Sequence, residues 1–509
     1  MALLSTTLLA IAGLATAHPQ QRNVIGETVH TTSGAIQGHA STWQPSVSEY
    51  LGIPFAQPPL GPLRWSAPQA YNSNKTIAAS KFSPDCAANV AAPLGSVIDH
   101  SLPIADIVKA ILGQAGDTFS EDCLTLNVWT KPSTSNSTTS SNAKKAVMVW
   151  IYGGGFSTGN SAAPTYNGAR LAAEQDVIVV SINYRVNIFG FPKARFLPDY
   201  NLGLLDQRLG LEWVRSNIEK FGGDTERIML FGQSAGGASV DMYGYAWTKD
   251  PIVNAISPMS GNVPATSTPV GNGSVEWFTV SKRVSCGGEE VGGAASLACM
   301  RGKDTETILK AFRNEKGTDS VSFRPLADGK VVFNDYPERL AKGNYVKVPY
   351  LTGNTDDEGG ISFATSRPPP KVPAKGVSRR QIGGAAQGCG PNGAAGTRSK
   401  AGVPSWRYLS SMIFPNSDIG SKGAFHGADI AYVFGTQAFL TKQPDTPEEK
   451  KLVNTMMTAW ASFAKDPKQG LTKLGWPVYD QAKESLIVLG GRQNSSVKFV
   501  KREVFDKGC

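Results

Sequence analysis

The chain lacks clustered basic residues, long apolar runs and internal repeats. Its formal charge is +9. Lys and Arg are scattered, however, and adjacent basic pairs such as Lys144-Lys145 and Arg379-Arg380 are isolated. That pattern reads as a solvated basic surface and argues against a nucleic-acid site. No run in the mature part approaches the roughly 20 apolar residues that span a bilayer, so no stable membrane insertion is expected. No segment repeats at a fixed period, which excludes a solenoid or propeller. Histidine is scarce: His18, His30, His39, His100 and His426 are the whole set.

What is present suits a large exported domain. The 509 residues are 41% hydrophobic, enough for a sizeable core. Residues 1–17 (MALLSTTLLAIAGLATA) carry no charge, contain an apolar stretch and end in Ala15-Thr16-Ala17. This predicts a secretory signal peptide, with the mature chain starting near His18. Glycosylation sequons begin at Asn74, Asn136, Asn272 and Asn494. The six cysteines, Cys86, Cys123, Cys286, Cys299, Cys389 and Cys509, all follow the leader. An even number in an exported chain favours disulfides.

Short apolar runs separated by longer helical stretches set the fold class. Ala146–Tyr152, Val177–Ile182, Ile228–Phe231, Val348–Leu351 and Leu486–Leu489 are apolar on both faces, as strands between helix layers must be. Residues 204–220 space their apolar side chains like an amphipathic helix. The alternation predicts one large α/β domain with a mostly parallel central sheet and helices on both faces. Residues 367–404 break the pattern. They are rich in Pro, Gly, Ala and basic residues, and are expected to form a loop or disordered linker.

Gly232-Gln233-Ser234-Ala235-Gly236 fits a nucleophile elbow. An apolar strand precedes it, and small residues follow that let a helix pack closely. A serine hydroxyl is a weak nucleophile and needs a base. In this architecture the order along the chain is Ser, acid, His. Four of the five histidines precede Ser234, so His426 is selected by elimination. The acid is expected past the end of Val348–Leu351, where Asp356, Asp357 and Glu358 are adjacent. Position does not separate them, and at least two should be solvated. Gly153-Gly154-Gly155 follows an earlier strand and offers bare N–H groups for an oxyanion hole. No Gly-Lys-Ser/Thr follows these glycines, so they are not a nucleotide loop.

Taken together, these residues resemble the type-B carboxylesterase/lipase family, which includes cholinesterases and fungal lipases and has the α/β-hydrolase fold. Residues Glu121 to Val128 (EDCLTLNV), the run Phe221-Gly222-Gly223-Asp224 leading to the elbow, Asp357-Glu358-Gly359 and Phe425-His426-Gly427 are similar to its signatures. The similarity extends from about Val24 to the C-terminus and implies a single domain over 24–509. It implies Ser234 as nucleophile, Glu358 as acid and His426 as base, with Gly154, Gly155 and Ala235 forming the oxyanion hole. It also implies the pairs Cys86–Cys123, Cys286–Cys299 and Cys389–Cys509, and places Ser260 near the histidine. Gln233 stands where cholinesterases carry Glu, and no Trp lies between Cys86 and Cys123. Both departures argue against choline esters. Thr225 replaces the family's usual Pro. The interval 359–388 is several tens of residues shorter than the family norm, which implies either an open pocket or an impaired member.

The expected function is a secreted, extracellular serine carboxylic-ester hydrolase working through an acyl-enzyme on small-molecule or lipid esters. No metal or organic cofactor is implied. A lipase for longer acyl chains is the main alternative, because the candidate lid, Ala87–Ser120, is strongly apolar. A non-catalytic binding protein on the same fold is the other. The sequence does not decide the oligomeric state.

Overall fold

A computed structural model describes residues 24–88, 118–132, 144–263, 274–313, 321–360 and 386–506. The leader, most of the candidate lid, Asn136, Asn272 and Cys509 lie outside these residues.

The architecture is an eleven-stranded mixed sheet. Its strands are β1 (His39–Ala40), β2 (Ser48–Pro54), β3 (Thr125–Thr130), β4 (Lys145–Ile151), β5 (Ile178–Ile182), β6 (Gly223–Gln233), β7 (Ala255–Met259), β8 (Tyr350–Thr355), β9 (Ser405–Ser410), β10 (Leu486–Gly491) and β11 (Asn494–Val500). The spatial order is β11-β10-β9-β8-β7-β6-β4-β5-β3-β2-β1. The strands from β5 across to β10 pair in parallel, while the pairs at the two sides are antiparallel. Every residue of β4 and β5 is buried. Since side chains alternate between faces, both faces of the sheet centre are covered.

Helix α1 (Leu202–Asn217) fulfils the amphipathic pattern read over 204–220. Helix α2 (Ala235–Ala246) leaves the end of β6 directly and packs on β6 and β7. On β4 and β6 lies α4 (Pro447–Lys465), started by a capping box between Thr446 and Glu449. Trp150 of β4, Phe231 of β6 and Phe434 form an aromatic cluster in the core.

The expectation for 367–404 needs correction. Residues Ala386–Lys400 form a helix, α3, packed against β8 and β9. Small residues do not mean exposure here, because they let the helix approach the sheet closely. Ala394 and Ala395 are buried, and so is Arg398, whose guanidinium lies over the rings of Tyr345 and Tyr350 at 4.7 and 4.1 Å. It pairs with the buried Asp241 of α2 at 3.3 Å.

The Glu121–Val128 signature proves architectural. Glu121 takes two hydrogen bonds from Arg64, at 2.7 and 2.6 Å. Arg64 also donates to the carbonyls of Met300, Arg301 and Lys303. Asn127 ties Gly52, Ser161 and Ser181 together. Cys86–Cys123 and Cys286–Cys299 are formed as expected. Cys389 is disulfide-bonded, but its expected partner, Cys509, lies outside the described residues.

Candidate active site

Ser234 sits between the end of β6 and the start of α2, with φ 58° and ψ −122°. A non-glycine residue held there is strained by on the order of 1–3 kcal/mol and persists only where its surroundings enforce it. The surroundings are backbone. The Ser234 N–H donates to Met259 O of β7 at 2.9 Å, and the Ala238 N–H donates to Ser234 O at 2.8 Å. A Cβ on Gly236 would lie 2.0 Å from Ile151 O, so the turn closes only with glycine at that position.

The glycine run after β4 packs against this turn. A Cβ on Gly153 would lie 2.9 Å from Ser234 Cβ. Gly154 and Gly155 have φ of +108° and +63°. At Gly155 the Cβ direction opens into the cavity, where the nearest atom is a guanidinium nitrogen of Arg324 at 4.0 Å. Ala235 begins α2, so its N–H has no partner within the helix.

The three adjacent carboxylates have different tasks. Glu358 is buried. It accepts a hydrogen bond from the Thr355 N–H at 2.8 Å and one from Nδ1 of His426. Asp356 accepts from the Ala424 N–H at 2.7 Å, and Asp357 from the Lys422 N–H at 3.0 Å. These two carboxylates, with a bridge between Asp357 and Phe425, fasten the loop that carries His426. Asp356 is exposed as expected, but Asp357 is half-buried, because it is occupied with this loop.

Electrostatics follow from the pairing. Burial pushes the Glu358 carboxyl up, but the charge and hydrogen bond of His426, with help from Ser260 and the Thr355 N–H, hold it below its ordinary value. Ser260 acts from nearby; its hydroxyl has no partner in full hydrogen-bond geometry. Burial pushes the His426 imidazole down, and the charge and hydrogen bond of Glu358, with Asp429 adding, more than offset this to leave its pKa raised. Asp429, buried and facing the Glu358 charge, is pushed up to about 6.

Ser234, Glu358 and His426 line one cavity of about 220 Å³, together with Gly155 and Ala235. Gly154 stands beside it in the same loop. Nε2 of His426 faces the side-chain nitrogen of Gln233 at 3.1 Å. An amide nitrogen only donates, so this imidazole nitrogen accepts, and the proton sits on Nδ1 toward Glu358. A neutral imidazole in that tautomer is able to take a proton from a hydroxyl at Nε2. His30 and His39 lie toward the chain start, with His39 in edge strand β1 paired to Glu49. Among the sequons, Asn74 and Asn494 are exposed.

Sequence reasoning missed several cavity-lining residues, notably Arg324, Asn262, Asn354, and Gly390 and Pro391 of α3. None belongs to a local motif. A sequence signal for α3 existed only in its small-residue content, which reads equally well as a loop.

Comparison with known proteins places the chain in a family. A family model described as the carboxylesterase family matches residues 26–381 and 395–506. The unmatched interval falls at the start of α3. A chlorogenic acid esterase of Aspergillus niger is 33% identical over 97% of this chain and 96% of its own length. Secreted lipase 5 of Gibberella zeae is 34% identical over 88% of this chain and 87% of its own. A thermophilic PNB esterase superposes with a TM-score of 0.72 at 25% identity, covering 93% of this chain and 98% of that one.

Proposed function

The chain belongs to the carboxylesterase family of carboxylic ester hydrolases, and we propose that it is a secreted serine esterase with Ser234, His426 and Glu358 as its catalytic triad. The observation that carries this reading is the strained elbow of Ser234 opening into the same cavity as the Glu358–His426 pair.

In this reading Ser234 Oγ attacks the ester carbonyl as Nε2 of His426 takes its proton. Gln233 must release that nitrogen first. The negative charge developing on the carbonyl oxygen is met by the N–H groups of Gly154, Gly155 and Ala235. His426 then protonates the departing alcohol, and water enters to cleave the acyl-enzyme by the same steps in reverse order. Glu358 stays ionised throughout and stabilises the imidazolium.

Export is supported by the leader, the disulfides and the exposed sequons at Asn74 and Asn494, which we propose are glycosylated. The apolar lid segment and the secreted lipase relative support a second reading, a lipase for longer acyl chains. Turnover of p-nitrophenyl butyrate, with labelling by a fluorophosphonate probe, tests the triad. Ser234→Ala should abolish both while the folded content is unchanged by circular dichroism. Retained turnover in that variant would remove Ser234 from the mechanism.

A further inference from the structure

Resting on the serine-esterase reading, we propose that this site prefers esters carrying a carboxylate, and that Arg324 is the group that recognises it. Arg324, Glu358 and His426 are the ionisable side chains in the described cavity wall. Glu358 is occupied by His426. That leaves Arg324 as the free cation among the described residues of the pocket wall, exposed and without a hydrogen bond or ion pair to any described residue. Its guanidinium stands beside Gly155, next to where the ester carbonyl must lie.

The loop that carries Arg324 is firmly held. Phe323 and Leu326, on either side, are buried. Leu326 exchanges two hydrogen bonds with the Asn201 side chain, at 2.7 and 2.9 Å. The backbone beneath Arg324 is therefore fixed, so a ligand has only the side chain to order. The residue before the nucleophile contributes as well. Gln233 places a neutral amide in the heart of the site, where a carboxylate would repel an anionic substrate. A neutral ester filling the pocket strips water from Arg324 and returns nothing, whereas a carboxylate makes a charge-assisted pair. A site built to bond a polar group discriminates against the analogue lacking it.

The test compares esters of similar size in wild type, Arg324→Gln and Arg324→Lys. Mono-ethyl glutarate against ethyl hexanoate places the carboxylate on the acyl side; butyryloxyacetate against butyl butyrate places it on the alcohol side. In at least one pair, wild type should favour the anionic ester in kcat/KM. Arg324→Gln should cut that preference about tenfold, the worth of roughly one charge-assisted pair. Arg324→Lys should keep part of it, and added salt should weaken it. No preference in either pair, an unchanged ratio in Arg324→Gln, or equal loss on both members of a pair overturns the proposal. Fluorophosphonate labelling shows that each variant is folded and competent. If wild type neither labels nor hydrolyses any of the four esters, the esterase reading itself has failed and this inference falls with it.

Discussion

The side-chain amide of Gln233 donates to Nε2 of His426 at 3.1 Å, on the residue adjoining the candidate nucleophile. With Glu358 on the opposite nitrogen, the imidazole is held from both sides. Protonation of the ring would set two donors against each other at Nε2, so Gln233 and Glu358 act on the basicity of His426 in opposite senses.

The pH profile should report this balance. Because His426 is raised above the ordinary histidine value of 6.5, it stays protonated to higher pH and is unable to act as base there. The acid limb of kcat/KM should therefore have its midpoint above 6.5. Gln233→Glu adds a negative charge beside the ring and should move that midpoint further toward alkaline pH. A limb that stays in place or moves toward acid would show that position 233 does not act through His426.

The three neighbouring carboxylates predict unequal losses. Glu358→Gln keeps the shape but removes the charge that favours the imidazolium and fixes its tautomer, so kcat should fall by about 10³–10⁴. Asp356→Asn still offers an oxygen to the Ala424 N–H and should cost only a few-fold. Steady-state rates on p-nitrophenyl butyrate decide it, and equal losses would mean that Glu358 is not the acid.

The elbow predicts a trade between stability and activity. Ser234→Gly removes the side chain that is strained at φ 58° and should raise stability by about 1 kcal/mol or more, while Ser234→Ala, which keeps a Cβ, should not. Urea unfolding of both inactive variants measures the difference. Equal midpoints would mean that the turn stores no strain.

Such local constraints explain what could be read from sequence. The elbow, the glycine run and the runs that became β4, β5, β6 and β10 are contiguous, and each carries its own chemistry. The strand β7 (Ala255–Met259) contains Pro258, and β9 (Ser405–Ser410) contains Arg407, so neither reads as an apolar run. Arg407 is tolerated in the core because Asp506, about a hundred residues away, pairs with it at 2.8 Å. Arg324 is illegible for the same kind of reason: its meaning comes from Gly155, far back along the chain. Helix α3 is illegible in its own segment because Arg398 is buried by partners on α2 and β8 that the segment does not announce.

That buried pair gives the sharpest stability prediction. Arg398 and Asp241 are both buried, and Asp241 also receives the Tyr350 hydroxyl at 3.0 Å and the Val263 N–H at 3.1 Å. Arg398→Met removes the cation and leaves an uncompensated buried carboxylate, which should cost about 3–5 kcal/mol in urea unfolding. Adding Asp241→Asn removes the stranded charge and keeps an oxygen for the Val263 N–H, while its NH2 replaces the oxygen that faces the Tyr350 hydroxyl, which can turn to accept, so the double variant should recover much of the loss. Activity should follow stability, because α3 supplies Gly390 and Pro391 to the cavity wall. If the double variant is no more stable than Arg398→Met alone, the stacking of the guanidinium on Tyr345 and Tyr350, rather than its charge, is what holds the helix to the sheet.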